Sequence, residues 1–408
     1  MKMITLTMLA DILGTSKNVV QGWVKKKRIT LLEGDNLSVK DHINEFPELQ
    51  FLLNETIPDT KFDKKLSSIE LFTGAGGMAI GLERAGFKHL AVNEWDKHAC
   101  NTLRNNRPSW NVLEGDVSNF SFTEFENVDL LAGGFPCQAF SYAGKQLGFD
   151  DTRGTLFYQF ARAALEAKPK VILAENVKGL TTHDNGRTFD TIKNIINEIG
   201  YTLVAEPKIL KAIFHKVPQK RERIFFVAVR NDLLNDKIQF EWPQPHNQIF
   251  TLKDALFKGE LYDTDCQTSP GQEYPERKKE IMSLVPQGGY WRDLPDDIAK
   301  EYMKASYFLG GGKTGMARRL SLNEPSLTLT CAPAQKQTER CHPTENRPLQ
   351  VREYARVQTF PDDWLFEGPV SAQYKQIGNA VPCNLAMALG IQIHKFILKL
   401  NKILAKNQ

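Results

Sequence analysis

Leu66-Ser67-Ser68-Ile69-Glu70-Leu71-Phe72-Thr73-Gly74-Ala75-Gly76-Gly77 reads as an apolar strand that runs into a glycine turn, and from Gly77 to Ala85 the pattern becomes helical. Strand, glycine turn and helix in that order bring backbone N–H groups and a helix N-terminus against a ligand phosphate or carboxylate. The same beat continues along the chain. His89 to Glu94 is a strand and Lys97 to Asn105 a helix, while Asp129 to Ala132 and Val171 to Glu175 are short buried strands. Phe157 to Ala167 and Thr188 to Ile199 are helices, and Arg223 to Arg230 is an apolar, aromatic-rich strand. Such alternation predicts an α/β protein with a doubly wound, Rossmann-like sheet.

Three features around the turn describe one ligand. Glu94 lies 18 residues after Gly76, where an acidic residue binds ribose hydroxyls. Trp95 beside it offers a face on which adenine stacks. Gly115-Asp116-Val117 places a carboxylate at the next strand end, suited to accept from an adenine amino group. A dinucleotide site requires GxGxxG, whereas this turn is GAGG followed by Met78, and no GxxxxGK[ST] occurs. S-adenosylmethionine therefore fits better than NAD or ATP, because its carboxylate uses the same backbone donors.

The chain has 408 residues, 41% hydrophobic and 25% charged, which excludes disordered, collagenous and coiled-coil classes and suggests two or three domains. Its 52 Lys+Arg against 48 Asp+Glu give only +4, too little to identify a polyanionic ligand from whole-chain charge. Six scattered cysteines without CxxC or finger spacing indicate a reduced protein without a structural zinc or other metal site. Met1 to Ala10 lacks the features of a signal peptide, and no stretch approaches the roughly 18 apolar residues of a membrane span, so a cytoplasmic protein without a membrane partner is expected.

Residues 1–60 read as a separate all-α unit. Thr7 to Leu13 is a helix, Gly14-Thr15-Ser16 a turn ending in an N-cap, and Lys17 to Lys26 a second helix with Val20, Trp23 and Val24 inward. This helix-turn-helix pattern resembles the DNA-binding units of small bacterial regulators, with Lys17, Asn18, Gln21, Lys25, Lys26, Lys27 and Arg28 expected to face DNA. The alternative is an amphipathic hairpin packed on the main domain with a solvated basic face. From Glu33 to Asp59 the charge turns acidic, and Ile57-Pro58-Asp59-Thr60 reads as a linker. Residues 65–241 then form the sheet domain, and 242–373, rich in Pro, Gly and charge, a smaller irregular domain. Residues 374–408 return with a Gly-Asn turn and an amphipathic helix (Leu385, Leu389, Ile393, Phe396, Leu400, Ile403) that closes on the sheet domain.

Asp129-Leu130-Leu131-Ala132-Gly133-Gly134-Phe135-Pro136-Cys137-Gln138 carries a strand into a Gly-Gly turn and a Pro-Cys pair, which puts Cys137 at the ligand-binding edge of the sheet. A thiol with a pKa near 8.5 needs nearby positive charge or a helix N-terminus to ionise at neutral pH. Ser141 to Gly154 is polar and glycine-punctuated, as in a loop that closes over substrate.

The segments IELFTGAGG, GFPCQAFS, AENVKGL, QKRERIFFVAV and QIGNAVP occur in that order between residues 69 and 382. In order and spacing they resemble the successive motifs of the bacterial DNA (cytosine-5)-methyltransferases. The resemblance covers roughly Leu66 to Lys406. It implies that Cys137 adds to carbon 6 of cytosine and that Glu175 binds ring N3 and the exocyclic amine. Arg223 would contact O2, Arg221 support the cysteine loop, and Asn176 orient it. For the cofactor it implies Phe72 on the adenine and the backbone of Thr73, Gly74, Ala75, Gly76 and Gly77 on the methionine moiety. Glu94 falls on the ribose, and Trp95, Asp116 and Val117 lie around the adenine. Pro136 and Leu156 would line the methyl end, with Asn379 and Ala380 completing the site.

A stacked cytosine is out of reach inside a duplex, so the implied reaction requires base flipping. Residues 242–373 would then form the target-recognition domain on double-stranded DNA, through Arg292, Lys313, Arg318, Arg319, Gln335, Lys336 and Arg340. Thr328-Leu329 is similar to the Thr-Leu pair of such domains. Ala143 departs from relatives that carry a serine able to fill the gap left by the flipped base. The expected protein is the modification enzyme of a restriction-modification system, a monomer on its methylation target, with dimerisation through the N-terminal unit as an option. That unit would either repress its own gene or assist target binding. The rival readings are an RNA methyltransferase with the same core and a non-enzymatic regulator.

Overall fold

The computed structural model describes residues 2–55, 60, 62–136, 155–235 and 238–405. Contacts divide the chain into two compact units, one of Thr60–Lys211, Glu222–Pro243 and Phe360–Gln408, the other of Met1–Asp59, Ala212–Arg221 and Gln244–Thr359.

The first unit is built on strands β1 (Leu66–Leu71), β2 (Phe87–Glu94), β3 (Val112–Glu114), β4 (Leu130–Gly134), β5 (Val171–Val177), β6 (Tyr201–Leu203), β7 (Lys208–Lys211) and β8 (Glu222–Arg230). They form a sheet in the order β3-β2-β1-β4-β5-β8-β6, with β7 also paired to β8. Strands β1 to β5 pair in parallel with one another, and β8 runs antiparallel to β5, β6 and β7. The chain winds outward from β1 to β3 and then returns to place β4 on the other side of β1. That reversal opens a crevice beyond the carboxyl ends of β1 and β4, where α/β sheets bind ligands.

Helices α1 (Gly77–Arg84), α2 (Lys97–Asn106), α3 (Leu156–Ala167), α4 (Arg187–Glu198), α5 (Val370–Asn379) and α6 (Cys383–Leu404) belong to this unit. Phe157 and Phe160 of α3 and Ile192, Ile195 and Ile196 of α4 pack with Ile69, Leu131, Ile172 and Phe226 of the sheet in one apolar cluster. Helices α1 and α6 meet backbone to backbone, since a Cβ on Gly81 would stand 2.5 Å from both the Ala386 Cβ and the Cys383 carbonyl. The C-terminal return read from the sequence is thus a core helix, with Leu385, Leu389, Ile393, Phe396 and Leu400 buried and Ile403 half-buried. Sequence reading found no stretch resembling a membrane span. Val370–Leu404 does reach that length and hydropathy, but 67% of its most apolar window is buried inside the protein.

In the second unit, Met3–Thr5 pairs antiparallel with Asn36–Ser38, a ribbon absent from the sequence reading. Between these strands lie helices Leu6–Leu13 and Lys17–Lys25, the first closed by Gly14 in the left-handed region (φ +69°) and the second capped by Ser16. Val20 is fully buried, and Trp23 and Val24 pack partly buried beside it. Two helices of eight and nine residues have little apolar surface of their own. Their core extends to Ile213 and Ile249, with Phe51 edge-on to Phe214 at 5.2 Å. Gln219–Lys220 pairs in parallel with Ser326–Leu327, which draws residues 212–221 into this unit. Short helices at Glu276–Ser283 and Asp296–Met303 surround a cluster of Met282, Trp291, Tyr302, Met303 and Cys341. Ile57, Pro58 and Asp59 of the expected linker lie outside the described residues.

Candidate active site

Strand β1 delivers the chain into a turn in which Phe72, Gly74 and Gly76 all have positive φ, +58°, +58° and +88°. Gly77 must be glycine for a different reason, because a Cβ there would stand 2.3 Å from the Val381 carbonyl and 2.9 Å from the Ala380 Cβ. The turn closes one side of a cavity of about 480 Å³. Glu94 organises it: Oε2 accepts from the Gly74 N–H at 2.7 Å, and Oε1 from the N–H groups of Trp95 and Asp96 at 2.9 and 2.8 Å. Trp95 is 75% exposed, an indole left standing at the rim. Asp116 is also exposed, and its Oδ1 accepts from the Ser118 N–H at 2.9 Å and hydroxyl at 2.7 Å. The Ser118 N–H, then its hydroxyl, hold that carboxyl below the ordinary range, so it is an anion at neutral pH.

The ends of β5 and β8 bring an acid and a guanidinium to the same cavity. Because β8 is antiparallel to β5, its first residues lie at the edge where β5 ends, with Arg223 opposite Val177. Arg223 Nε stands 2.9 Å from Glu175 Oε1, and these side chains are only 14% and 10% exposed. Gly134 on β4 makes room for the acid, since a Cβ there would meet Glu175 Oε2 at 2.7 Å. Asn176 donates from Nδ2 to the Phe135 carbonyl at 2.8 Å and accepts from the Val177 N–H at 2.8 Å. It thereby fixes the end of the stretch leading to Cys137.

Phe72, Thr73, Gly74, Glu94, Trp95, Asp116, Val117, Pro136, Leu156, Glu175, Asn176, Arg223, Asn379 and Ala380 all line the one cavity. Ala75, Gly76 and Gly77 are buried behind it. Arg221 was expected to share one strand and one direction with Arg223, which the strand pairing does not bear out, while its expected support of the cysteine loop falls on residues outside the described ones. Strand pairing is interrupted at Arg221, and that side chain is 1% exposed, donating to the Leu329 carbonyl at 3.4 Å. Cys137, Ala143 and the stretch Ser141 to Gly154 lie outside the described residues. Of the other cysteines, Cys100 and Cys383 are buried thiols that burial pushes up to about 12, and Cys341 to about 11. None of these three is a thiolate at neutral pH.

Sequence reasoning missed Glu70, Asn93, Asp96, Lys375 and Gln376, which line the same cavity. Glu70 was legible from strand alternation, two residues before Phe72 on one face. Lys375 and Gln376 precede Asn379 by one helical turn on α5, which puts them on its face. Lys375 donates to Asp96 Oδ2 at 3.2 Å. Glu70 is buried at 1% exposure, and burial pushes its carboxyl well above the usual range, outweighing the downward pull of the Ala79 backbone N–H.

The proposed DNA contacts separate into three groups by exposure. Lys17, Asn18, Gln21, Lys25, Lys26, Lys27, Arg28, Arg292 and Gln335 are exposed. Lys313, Arg318 and Lys336 are half-buried, Lys313 donating to the carbonyls of Ser306 and Leu309. Arg319 and Arg340 are corrections. Arg319 is 4% exposed and spends its donors on the carbonyls of Met282, Val285, His342 and Glu345 and on Asn346 Oδ1. Arg340, 5% exposed, donates to the carbonyls of Thr328 and Glu339. Both hold irregular backbone together where helix and strand bonds satisfy few of the carbonyls.

The sequence model of the family described as C-5 cytosine-specific DNA methylase matches residues 66–395. The chain is 63% identical over 405 residues to the Type II methyltransferase M.Eco47II of Escherichia coli, covering 98% of this chain and 97% of that one. It is 45% identical to M.Sau96I of Staphylococcus aureus, covering 96% and 88%. Among solved structures, a DNA modification methyltransferase encoded within an E. coli prophage aligns with a TM-score of 0.57 at 26% identity, covering 82% of this chain and all of that one. Spodoptera frugiperda DNMT2 shares the fold, with a TM-score of 0.52 at 17% identity over 82% of this chain and all of that one.

Proposed function

The chain belongs to the C-5 cytosine-specific DNA methylase family and is a DNA (cytosine-5)-methyltransferase, and from that premise we propose how its own residues divide the work. The cavity suits S-adenosylmethionine by its donor set. A carboxylate accepts up to about four hydrogen bonds, so Glu94, already taking three from backbone, retains capacity for a ribose hydroxyl. Trp95 offers its exposed face to the adenine, and Asp116, whose internal bonds both fall on Oδ1, accepts from the adenine amino group through Oδ2. Phe72, Val117, Pro136, Leu156, Asn379 and Ala380 supply the remaining walls. When bound, S-adenosylmethionine supplies an electrophilic methyl group.

Carbon 5 of cytosine is a poor nucleophile, and the Cys137 thiolate corrects this by adding to carbon 6, which moves electron density onto carbon 5. Glu175 holds a proton at N3 and binds the exocyclic amine, while Arg223 donates to O2, so the charge created by addition is neutralised as it forms. After carbon 5 is methylated it loses its proton to water, and elimination returns the electron pair to Cys137. The observation that carries this reading is the Glu175–Arg223 pair, nearly enclosed and lining the same cavity as Glu94 and Asp116. A carboxylate and a guanidinium held side by side match the edge of a cytosine, which presents N3 and O2 together.

The substrate is double-stranded DNA with the target base flipped, and the enzyme serves as the modification half of a restriction-modification system. Exposed Arg292 and Gln335 reach the duplex from the irregular region, joined by Lys313, Arg318 and Lys336, and the helix-turn-helix at Leu6–Lys25 presents basic residues to DNA. The test is transfer of labelled methyl groups to duplex DNA and to tRNA, together with a duplex carrying 5-fluorocytosine. That substituent cannot leave carbon 5, so the enzyme should be trapped through Cys137. Trapping that survives Cys137→Ser, or labelling of tRNA in preference to duplex, would overturn the reading.

A further inference from the structure

None of the residues that line the cavity comes from the N-terminal segment, and the family match begins only at residue 66. Its attachment is nevertheless built in. Its apolar core incorporates Ile213 and Ile249, and Phe51 packs edge-on to Phe214. Lys2 donates to the Asn247 carbonyl, and Asn247 Nδ2 donates back to the Asn54 carbonyl at 2.9 Å. Between them sits an ion triad: Lys220 Nζ lies 2.9 Å from Asp11 Oδ2 on the first helix and 3.4 Å from Glu324 Oε2 of the irregular region, at side-chain exposures of 20%, 20% and 24%. Such a lysine, drawn between two carboxylates and largely out of water, holds three chain segments in one geometry.

The charge left on the outside is selective. Lys17 is paired with Asp35 at 3.3 Å, and Arg28 with Glu45, its guanidinium lying 4.8 Å from the Trp23 ring centroid. Lys25, Lys26 and Lys27 are exposed, and none has an ion-pair partner among the described residues. Asn18 and Gln21 lie exposed on the helix Lys17–Lys25, whose last residue is Lys25. A helix pair meant to find its own operator gains from a free tether. A pair fused into the core of the irregular unit is placed in fixed register with any DNA that this unit holds.

We infer that the N-terminal helix pair is a phosphate clamp on the duplex flanking the methylation target, held on the recognition unit by the Asp11–Lys220–Glu324 triad. This rests on the reading that the irregular region grips duplex DNA, and it makes the clamp and that grip one continuous interface. Because the attachment is rigid, closing the clamp loses no tether entropy, and each lysine adds its contact at high effective concentration. Three phosphates neutralised contribute about 2.7 to the slope of log affinity against log salt. Between 50 and 200 mM salt that contribution changes by about forty-fold.

The experiment uses the full chain and duplexes of increasing length centred on one methylated cytosine, mapped beforehand by bisulfite sequencing. For the wild type, KM should fall once the duplex becomes long enough to reach the clamp. In the Lys25→Ala/Lys26→Ala/Lys27→Ala variant the ratio of KM on short and long duplexes should collapse toward one, and the salt slope on the long duplex should drop by about 2.7. Asp11→Asn should reduce the same ratio with the lysines intact, and Asp11→Glu should restore it, which a general loss of folding would not produce. A wild-type KM independent of duplex length overturns the proposal. So does a triple variant that keeps both the ratio and the salt slope while losing binding to some separate DNA sequence. A wild type that methylates tRNA and no duplex would instead overturn the underlying reading of the substrate.

Discussion

Arg223 Nε sits 2.9 Å from Glu175 Oε1 although 48 residues separate them, because an antiparallel strand starts where a parallel one stops. Each side chain fixes the rotamer of the other before any base arrives, so little reorganisation is left for the moment when charge develops. Glu175→Gln should therefore lower kcat by about a hundred- to ten-thousand-fold, the usual span for losing a positioned acid. Calorimetric affinity for S-adenosylmethionine should change by less than about three-fold, since the carboxyl is proposed to act on the base. Loss of cofactor binding with an unchanged saturated rate would show that the roles are reversed.

Glu94 holds the glycine turn, through the N–H of Gly74 on one oxygen and two further N–H groups on the other, and is proposed to take a ribose hydroxyl as well. Replacing it by alanine leaves those donors without their acceptor and removes the proposed ribose contact. The expected result is about ten- to hundred-fold weaker S-adenosylmethionine binding, from one or two charge-assisted hydrogen bonds. Titration calorimetry of Glu94→Ala measures it, and an unchanged affinity would place the ribose elsewhere.

Glu70 carries a pH signature. Burial raises its carboxyl pKa in the folded chain above the unfolded value, so between those two values the folded state holds a proton that the unfolded state has released. Stability from this group is therefore fully present below the unfolded pKa, near 4.5, and is lost as pH rises through the raised folded value. Glu70→Gln cannot ionise, and its melting temperature relative to wild type should rise from pH 5 to pH 8. Thermal melts without added cofactor at the two pH values decide it; a difference that stays flat or falls would refute the raised pKa.

Arg319 separates a structural arginine from a DNA contact. Its guanidinium satisfies carbonyls from both sides of the irregular region while 4% exposed. Arg319→Ala should cost more than about 3 kcal/mol, because several buried acceptors lose their donor together. Urea denaturation should show this as a clearly lowered midpoint. A variant of wild-type stability that simply methylates poorly would return Arg319 to the DNA surface.

The strand-turn-helix rhythm, the gathering of Glu94, Trp95 and Asp116 at one sheet edge, and the family motifs rest on short stretches of sequence, so they were legible without coordinates. Periodicity reports which face is buried, and a glycine turn after a strand has few structural uses. Pairing across the fold was not legible. That Arg221 leaves the strand while Arg223 stays in it depends on a break in hydrogen bonding, which no spacing of residues encodes. Arg319 and Arg340 read as surface cations because charge is normally solvated, and only tertiary packing supplies enough orphan carbonyls to bury them. The N-terminal helices announced themselves by caps, turn and basic charge, all determined within 30 residues. Whether they stand alone was decided by Ile213, Ile249 and Lys220, roughly 200 residues away, because a core that small is completed only by what the rest of the chain folds against it.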